Sequence, residues 1–119
     1  MGEIQNKPYN LEERTFQFAK RAIGYFKKLP QSVSNREITH QGIRAAGSVG
    51  ANFIEANEAL SRKDFALRVK ICRKEAKETI YWFKLSESLA ASENERTLLL
   101  QEAIELMKIF GAIIEKAKR

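Results

Sequence analysis

The chain has 119 residues, with 21 lysines and arginines against 15 aspartates and glutamates, a formal net charge of +6, one histidine and one cysteine. A chain of this length can form a core without disulfides, so we expect a single domain over residues 1–119. One cysteine and one histidine cannot supply an internal disulfide or a four-ligand zinc site. No apolar run reaches about 18 residues and the N-terminus lacks the apolar stretch of a secretion signal, so we expect no membrane association and a cytoplasmic protein.

The distribution of prolines and apolar residues predicts helices. Pro8 and Pro30 are the only prolines, which leaves residues 31–119 uninterrupted. Apolar residues recur with a 3.6-residue period from Leu11 to Leu29, which predicts a first helix over residues 11–29. The spacing of Ser34 and Glu37 is that of a capping box and predicts a second helix over residues 35–60.

Two further capping signals predict the remaining helices. Ser61 followed by Asp64 predicts the start of a third helix over residues 62–91. Ser92, followed by two glutamates that the helix dipole favours in a first turn, predicts a fourth helix over residues 93–117. Connections this short place consecutive helices side by side in opposite directions. The predicted fold is therefore all-α, an antiparallel up-down-up-down four-helix bundle.

The second helix contains an unusual run of small residues. Gly42, Gly47 and Gly50 each cost about 1 kcal/mol of helix stability relative to alanine. We expect the close approach of another helix to offset this cost. That helix belongs either to the same bundle or to another subunit.

The third helix carries two separate apolar stripes. The first has the spacing of a bundle core and comprises Phe65, Val69, Cys72, Ala76, Ile80 and Phe83. The second lies more than about 100° away at 100° per residue and comprises Leu67, Ile71, Trp82, Leu85 and Leu89. Since a helix in a monomeric bundle needs only one apolar stripe, we predict that the second stripe packs on another copy of the chain, with Trp82 as an anchor. The alternative is that it packs under a loop or the N-terminal segment.

A third stripe of the same helix is positively charged. We call it the basic stripe, and it comprises Lys63, Lys70, Arg73, Lys74, Lys77, Tyr81 and Lys84. Lysines can contact a phosphate backbone while one aromatic ring stacks on a base, so the basic stripe is a candidate nucleic-acid site. The alternative is the ordinary solvated face of a helix.

Carboxylates on the second and third helices are the remaining candidates for chemistry. We expect these side chains to form a structural polar network with arginines such as Arg44. Its predicted members are Asn52, Glu55, Glu58, Glu75 and Glu78. The alternative is a metal or acid–base site. Glu37 and His40 match a di-iron motif that needs a second histidine, and Cys72 lies on the core stripe without a nearby histidine. We therefore predict no metal, no cofactor and no enzymatic activity.

Part of the chain resembles a known family. The resemblance rests on small, polar and capping residues in a fixed order, namely Ala46, Ser48, Val49, Asn52, Glu55, Ser61, Asp64, Phe65 and Glu78. Over most of residues 11–117, the chain is similar to proteins encoded within intervening sequences of bacterial 23S ribosomal RNA genes. One departure is Ala56, which stands where many relatives have glycine. The resemblance implies a ring-shaped homopentamer of four-helix bundles. A related fold forms the accessory variability protein of diversity-generating retroelements, a basic pentamer that contacts a reverse transcriptase and nucleic acid.

Two functional hypotheses follow, and both are non-enzymatic. In the first, an oligomer binds nucleic acid, preferably structured RNA, through the basic stripe by shape and phosphate contacts. In the second, the chain is an adaptor that binds an acidic patch of a protein partner, such as a reverse transcriptase. A third hypothesis places a carboxylate metal site at Glu55, Glu58 and Glu78.

Overall fold

The computed structural model describes residues 10–118, and helices account for most of this range. Four α-helices follow one another, and a short 3-10 turn at Ala90–Ser92 precedes the last of them. They are α1 (Leu11–Lys27), α2 (Val33–Asn57), α3 (Arg62–Leu85) and α4 (Glu93–Ala117). Residues 10–118 contain no strand, so the all-α prediction is confirmed. None of these helices combines the length and the hydropathy needed to cross a membrane.

The helix starts show which serines act as caps. The hydroxyl of Ser32 accepts a hydrogen bond from the Asn35 amide at 3.0 Å, so α2 begins before Ser34 and the predicted capping box is wrong. The carboxylate of Glu37 instead accepts a hydrogen bond from the side chain of Gln41. At the start of α3, the Ser61 hydroxyl accepts a hydrogen bond from the Asp64 amide at 3.0 Å, as predicted.

The third helix is shorter than predicted, because it ends at Leu85 and not near residue 91. Tertiary hydrogen bonds hold the chain in an extended conformation after that point. The buried Ser86 hydroxyl donates to the Phe83 carbonyl at 2.6 Å and lies 2.6 Å from the Tyr25 hydroxyl. Leu89 therefore lies outside α3, and its assignment to the second apolar stripe of that helix is wrong.

Asn35 links two connections at one end of the helices. Its side-chain amide donates to the carbonyl oxygens of Pro30 and Glu87, at 3.0 and 3.2 Å. Its side-chain carbonyl accepts from the amide of Glu87 at 3.3 Å. The turn between α1 and α2 is thereby fixed to the segment that follows α3.

Aromatic rings form the core between α1 and α3. The ring of Phe26 stacks on that of Phe83 with their centroids 5.1 Å apart, and Tyr25 packs edge-on against both. Phe18 contacts Phe83 from one side in the same edge-on manner. These rings anchor α1 on α3, where aromatic pairs add to the stability gained from burial.

The predicted core stripe of α3 is largely correct. Val69, Cys72, Ala76 and Phe83 are fully buried, whereas Phe65 and Ile80 are partly buried and pack against the core, and Thr79 and Glu75 are buried in addition. The buried side of α3 is therefore wider than the stripe predicts, because α2 covers its flank.

Two of the three α2 glycines have a packing reason within the chain. The ring of Phe26 occupies the space that a Cβ would take at Gly42, and the Thr15 hydroxyl oxygen lies 2.8 Å from the ideal Cβ position of Gly50. Both neighbours belong to α1, so the close approach expected from the small residues occurs within the bundle at these positions. Gly47 differs, since no atom of its described neighbours lies within 4 Å of its ideal Cβ position.

Candidate nucleic-acid interface

The basic stripe lies along the outer side of α3, and all seven of its side chains are exposed. Lys63, Lys70, Lys77 and Lys84 recur every seven residues. At 1.5 Å rise per residue they form a row about 30 Å long. A row of this length is suited to several successive phosphates of a nucleic-acid strand.

Few carboxylates neutralise the basic stripe. Lys74 lies 3.9 Å from Glu75, whereas the other stripe lysines have no carboxylate within 4.0 Å among residues 10–118. The three acidic residues of α3 face eight basic ones, and two of the three are engaged by an arginine from α2. The lysine charges therefore remain available to an external anion.

Tyr81 and Arg73 are the two members of the basic stripe that are not lysines. The ring of Tyr81 is 55% exposed and packs edge-on against Trp82, with centroids 5.0 Å apart, which leaves a face open for stacking. Arg73 lies beside α4, where its guanidinium is 3.9 Å from the ideal Cβ position of Gly111.

The predicted polar residues fall into two groups. Arg44 of α2 contacts Glu78 directly and lies 3.6 Å from the carboxylate of Glu75. About two turns further along α2, the side chain of Asn52 accepts a hydrogen bond from Arg68 at 3.3 Å. It also donates a hydrogen bond to the Ser48 carbonyl at 2.8 Å. Sequence reasoning did not select Arg68 for this group.

Glu55 and Glu58 lie apart from Glu78. They line a cleft of about 330 Å³ at the turn between α2 and α3, together with Asp64 and Arg68. Within residues 10–118, no group of three or more histidine, cysteine, aspartate or glutamate side chains is arranged to hold a metal ion. The three carboxylates of the metal hypothesis are thus not brought together.

The second apolar stripe remains largely uncovered. Leu67 is 56% exposed, Leu85 is 44% exposed and Leu89, beyond the helix end, is also exposed. Ile71 and Trp82 are partly buried, and Trp82 packs against the core. Within residues 10–118, the buried indole nitrogen of Trp82 has no hydrogen-bond partner, and the buried Oε1 of Glu75 has only the Arg44 guanidinium, at 3.6 Å. This flank of α3 therefore combines exposed apolar surface with a buried indole N–H that lacks an acceptor in the described residues, and both are costly features to leave uncovered.

The cysteine and the histidine show no arrangement for chemistry. Cys72 is fully buried, and burial raises the pKa of its thiol to about 12, so the thiolate that acts as a nucleophile is not formed at neutral pH. His40 is exposed on α2, with Glu37 engaged by Gln41.

Comparison with known proteins agrees with the resemblance seen in the sequence. The family model of the 23S rRNA-intervening sequence protein matches residues 9–112. A crystal structure of a protein with unknown function from the S23 ribosomal protein family of Bacteroides thetaiotaomicron is 31% identical, with a TM-score of 0.71, over 87% of this chain and 96% of that one. No curated protein gives a significant match. The chain belongs to the family of 23S rRNA-intervening sequence proteins.

Proposed function

We propose that the chain is a non-enzymatic, self-associating bundle protein that binds the phosphate backbone of structured RNA through the basic stripe. The observation that carries this proposal is the row of exposed lysines on α3. Among the stripe lysines, Lys74 alone has a carboxylate of the described residues within 4.0 Å. Lysines arranged in this way recognise charge and strand shape, since phosphate contacts position a protein without reading the base sequence.

The proposal predicts a strong dependence of binding on salt. Each neutralised phosphate contributes a slope of about −0.9 to the logarithm of affinity against the logarithm of salt on duplex nucleic acid. Four lysine contacts therefore predict a loss of roughly 100-fold in affinity between about 50 and 200 mM salt. Tyr81 adds a stacking contact that is insensitive to salt wherever a base is unpaired.

Self-association completes the proposal. We infer a single antiparallel up-down-up-down domain that assembles through the apolar flank of α3, into the ring of five that the family resemblance implies. Fully burying an exposed leucine contributes about 1.5 to 3 kcal/mol, and since Leu67 and Leu85 are about half exposed, each adds roughly half of that on assembly. Five copies of a +6 chain carry about +30, which multiplies the attraction for a polyanion.

Charge reversal on two helices tests RNA binding. The variant K70E/K77E changes the basic stripe, and K108E/K116E changes the net charge equally with two exposed lysines of α4. In mobility-shift titrations of an RNA hairpin at two salt concentrations, we expect the first variant to lose at least tenfold more affinity than the second. Equal losses would show attraction to net charge alone and contradict the assigned site. Absence of wild-type binding at low salt would reject RNA and favour an acidic protein partner.

Two leucines of nearly equal exposure test self-association. Leu85 on α3 is 44% exposed and Leu98 on α4 is 43% exposed. We expect L85E to lower the mass measured by light scattering, whereas L98E leaves the mass unchanged. A monomeric wild-type protein, or an L85E variant with the wild-type mass, would contradict the assembly proposed here.

A further inference from the structure

A cavity of about 280 Å³ lies where α1 ends and α2 begins. Three of its lining side chains are basic, namely Lys27 of α1 and Arg36 and His40 of α2. Among residues 10–118, no member of the basic stripe and no aspartate or glutamate lines the cavity. The cavity is therefore a second cationic site, distinct from the one on the outer side of α3.

The positive charges around this cavity are not neutralised by carboxylates in the described part of the chain. Lys27, Arg36 and His40 have no carboxylate within 4.0 Å among residues 10–118. The nearest acidic residue in sequence, Glu37, is engaged by Gln41 and does not line the cavity. Two permanent positive charges and one imidazole therefore border a recess without a counter-charge.

The carbonyl oxygens beside the cavity already have hydrogen-bond donors. The Phe26 carbonyl accepts from the Thr39 hydroxyl and from the Leu29 amide, both at 3.2 Å. The Pro30 carbonyl accepts from the side chain of Asn35 at 3.0 Å. These two acceptors are occupied, and the side chains of Lys27, Arg36 and His40 offer N–H donors to a ligand. Asn35 also fixes this wall to the segment after α3.

We propose that this cavity binds a terminal phosphate group, either free inorganic phosphate or the phosphomonoester at the 5′ end of a nucleic acid. Such a group carries about −1.5 to −2 charges at pH 7, which matches the positive charges of Lys27 and Arg36, and the imidazole of His40 offers a further N–H donor. The guanidinium of Arg36 can form two parallel hydrogen bonds to phosphate oxygens, and the ammonium of Lys27 acts as a point charge. Leu29 and Pro30 supply an apolar wall beside the basic side chains for the organic part of the ligand. This proposal does not depend on RNA binding by the basic stripe.

His40 provides a direct probe of the cavity, because it is the only histidine of the chain. In the untagged protein, its imidazole proton–carbon NMR signals report on this site alone. We expect inorganic phosphate, added at constant pH and ionic strength against chloride, to shift these signals in a saturable way. The proposal would be overturned if the signals showed no saturable shift up to about 10 mM phosphate, because a site that needs more phosphate than this binds too weakly to be specific.

Matched variants separate this site from general attraction. We expect R36Q to weaken the apparent phosphate affinity about tenfold or more, since it removes a charge-assisted contact. K116Q changes an exposed lysine at the α4 end that lies beside Arg62, remote from the cavity, and should leave the affinity unchanged. Both side chains are exposed, so we expect both variants to fold, and circular dichroism is the measurement that checks this. Equal affinity in R36Q and wild type would refute the assignment.

Two oligonucleotides identify the source of the phosphate group. An RNA hairpin with a 5′-phosphate is compared with the same hairpin bearing a 5′-hydroxyl, and the His40 signals are followed in both titrations. A shift at lower concentration with the 5′-phosphate assigns the cavity to nucleic-acid ends. Equal titrations, together with a saturable response to inorganic phosphate, assign it to free phosphate.

Discussion

Substitution of Gly42 by alanine tests the packing of α1 on α2. The new methyl group would fall within 2.6 Å of two atoms at the end of the Phe26 ring and closer still to a third. That ring cannot move aside, because it is buried between Phe83, on which it stacks at 5.1 Å, and Tyr25. Overpacking of this kind costs about 3 kcal/mol at the upper end of its usual range, and alanine returns about 1 kcal/mol of helix propensity. The expected net loss in the free energy of unfolding is about 2 kcal/mol.

Gly47→Ala is the matched control, since it changes the same residue type on the same helix. Its methyl group would meet open space, so we expect the free energy of unfolding to rise by about 0.5 to 1 kcal/mol. Urea denaturation gives both values directly. In thermal unfolding, a domain of this size shifts by roughly 4 °C per kcal/mol, so G42A should melt about 8 °C below the wild type.

The opposite ranking of the two variants would refute this reasoning. If G42A were as stable as the wild type, the ring of Phe26 would not fill the space beside Gly42 and the stacked aromatic core would be incorrect. Both variants are compared at one protein concentration, because self-association raises apparent stability with concentration.

Three further changes test buried and partly buried contacts. Tyr25→Phe removes the buried 2.6 Å hydrogen bond to Ser86 and should lower the free energy of unfolding in urea by about 1 kcal/mol. Burial raises the pKa of the Cys72 thiol from 9.0 to about 12, so ionisation favours the unfolded chain above pH 9. The stability of the wild type should therefore fall from pH 9 toward pH 12 more steeply than that of Cys72→Ala, and parallel curves would contradict this. Arg14→Gln breaks the two hydrogen bonds to Glu102 at 2.7 and 2.9 Å, and its cost of about 0.5 to 1 kcal/mol should shrink in high salt.

The helices could be predicted where the signal is local. The start of α3 follows from the contact between Ser61 and Asp64, and α4 spans the predicted residues, although the Ser92 side chain makes no capping hydrogen bond there. Two neighbouring serines, however, offer equivalent hydroxyls at the start of α2, and only the conformation of the preceding turn selects Ser32. Local patterns cannot choose between groups of the same chemistry.

The end of α3 could not be predicted, because no glycine or proline marks it. The helix ends where the Ser86 hydroxyl meets Tyr25, a residue 61 positions earlier in the chain. The same distinction applies to the candidate site. The exposure of the lysines on α3 follows from helical periodicity alone. The burial of Glu75, only 7% exposed, depends on its neighbour Arg44 from α2, which periodicity does not reveal.

The hydrogen bonds of the Asn35 side chain restrict which amino acids can replace it. Its side chain offers protons to two carbonyl oxygens and a lone pair to one amide at the same time. Aspartate matches it in outline but would set a bare oxygen against those carbonyls, and leucine would supply neither function. Glutamine carries the right groups on a stem one carbon too long. The position is thus selective for the polarity of each terminal atom, and volume alone does not qualify a replacement.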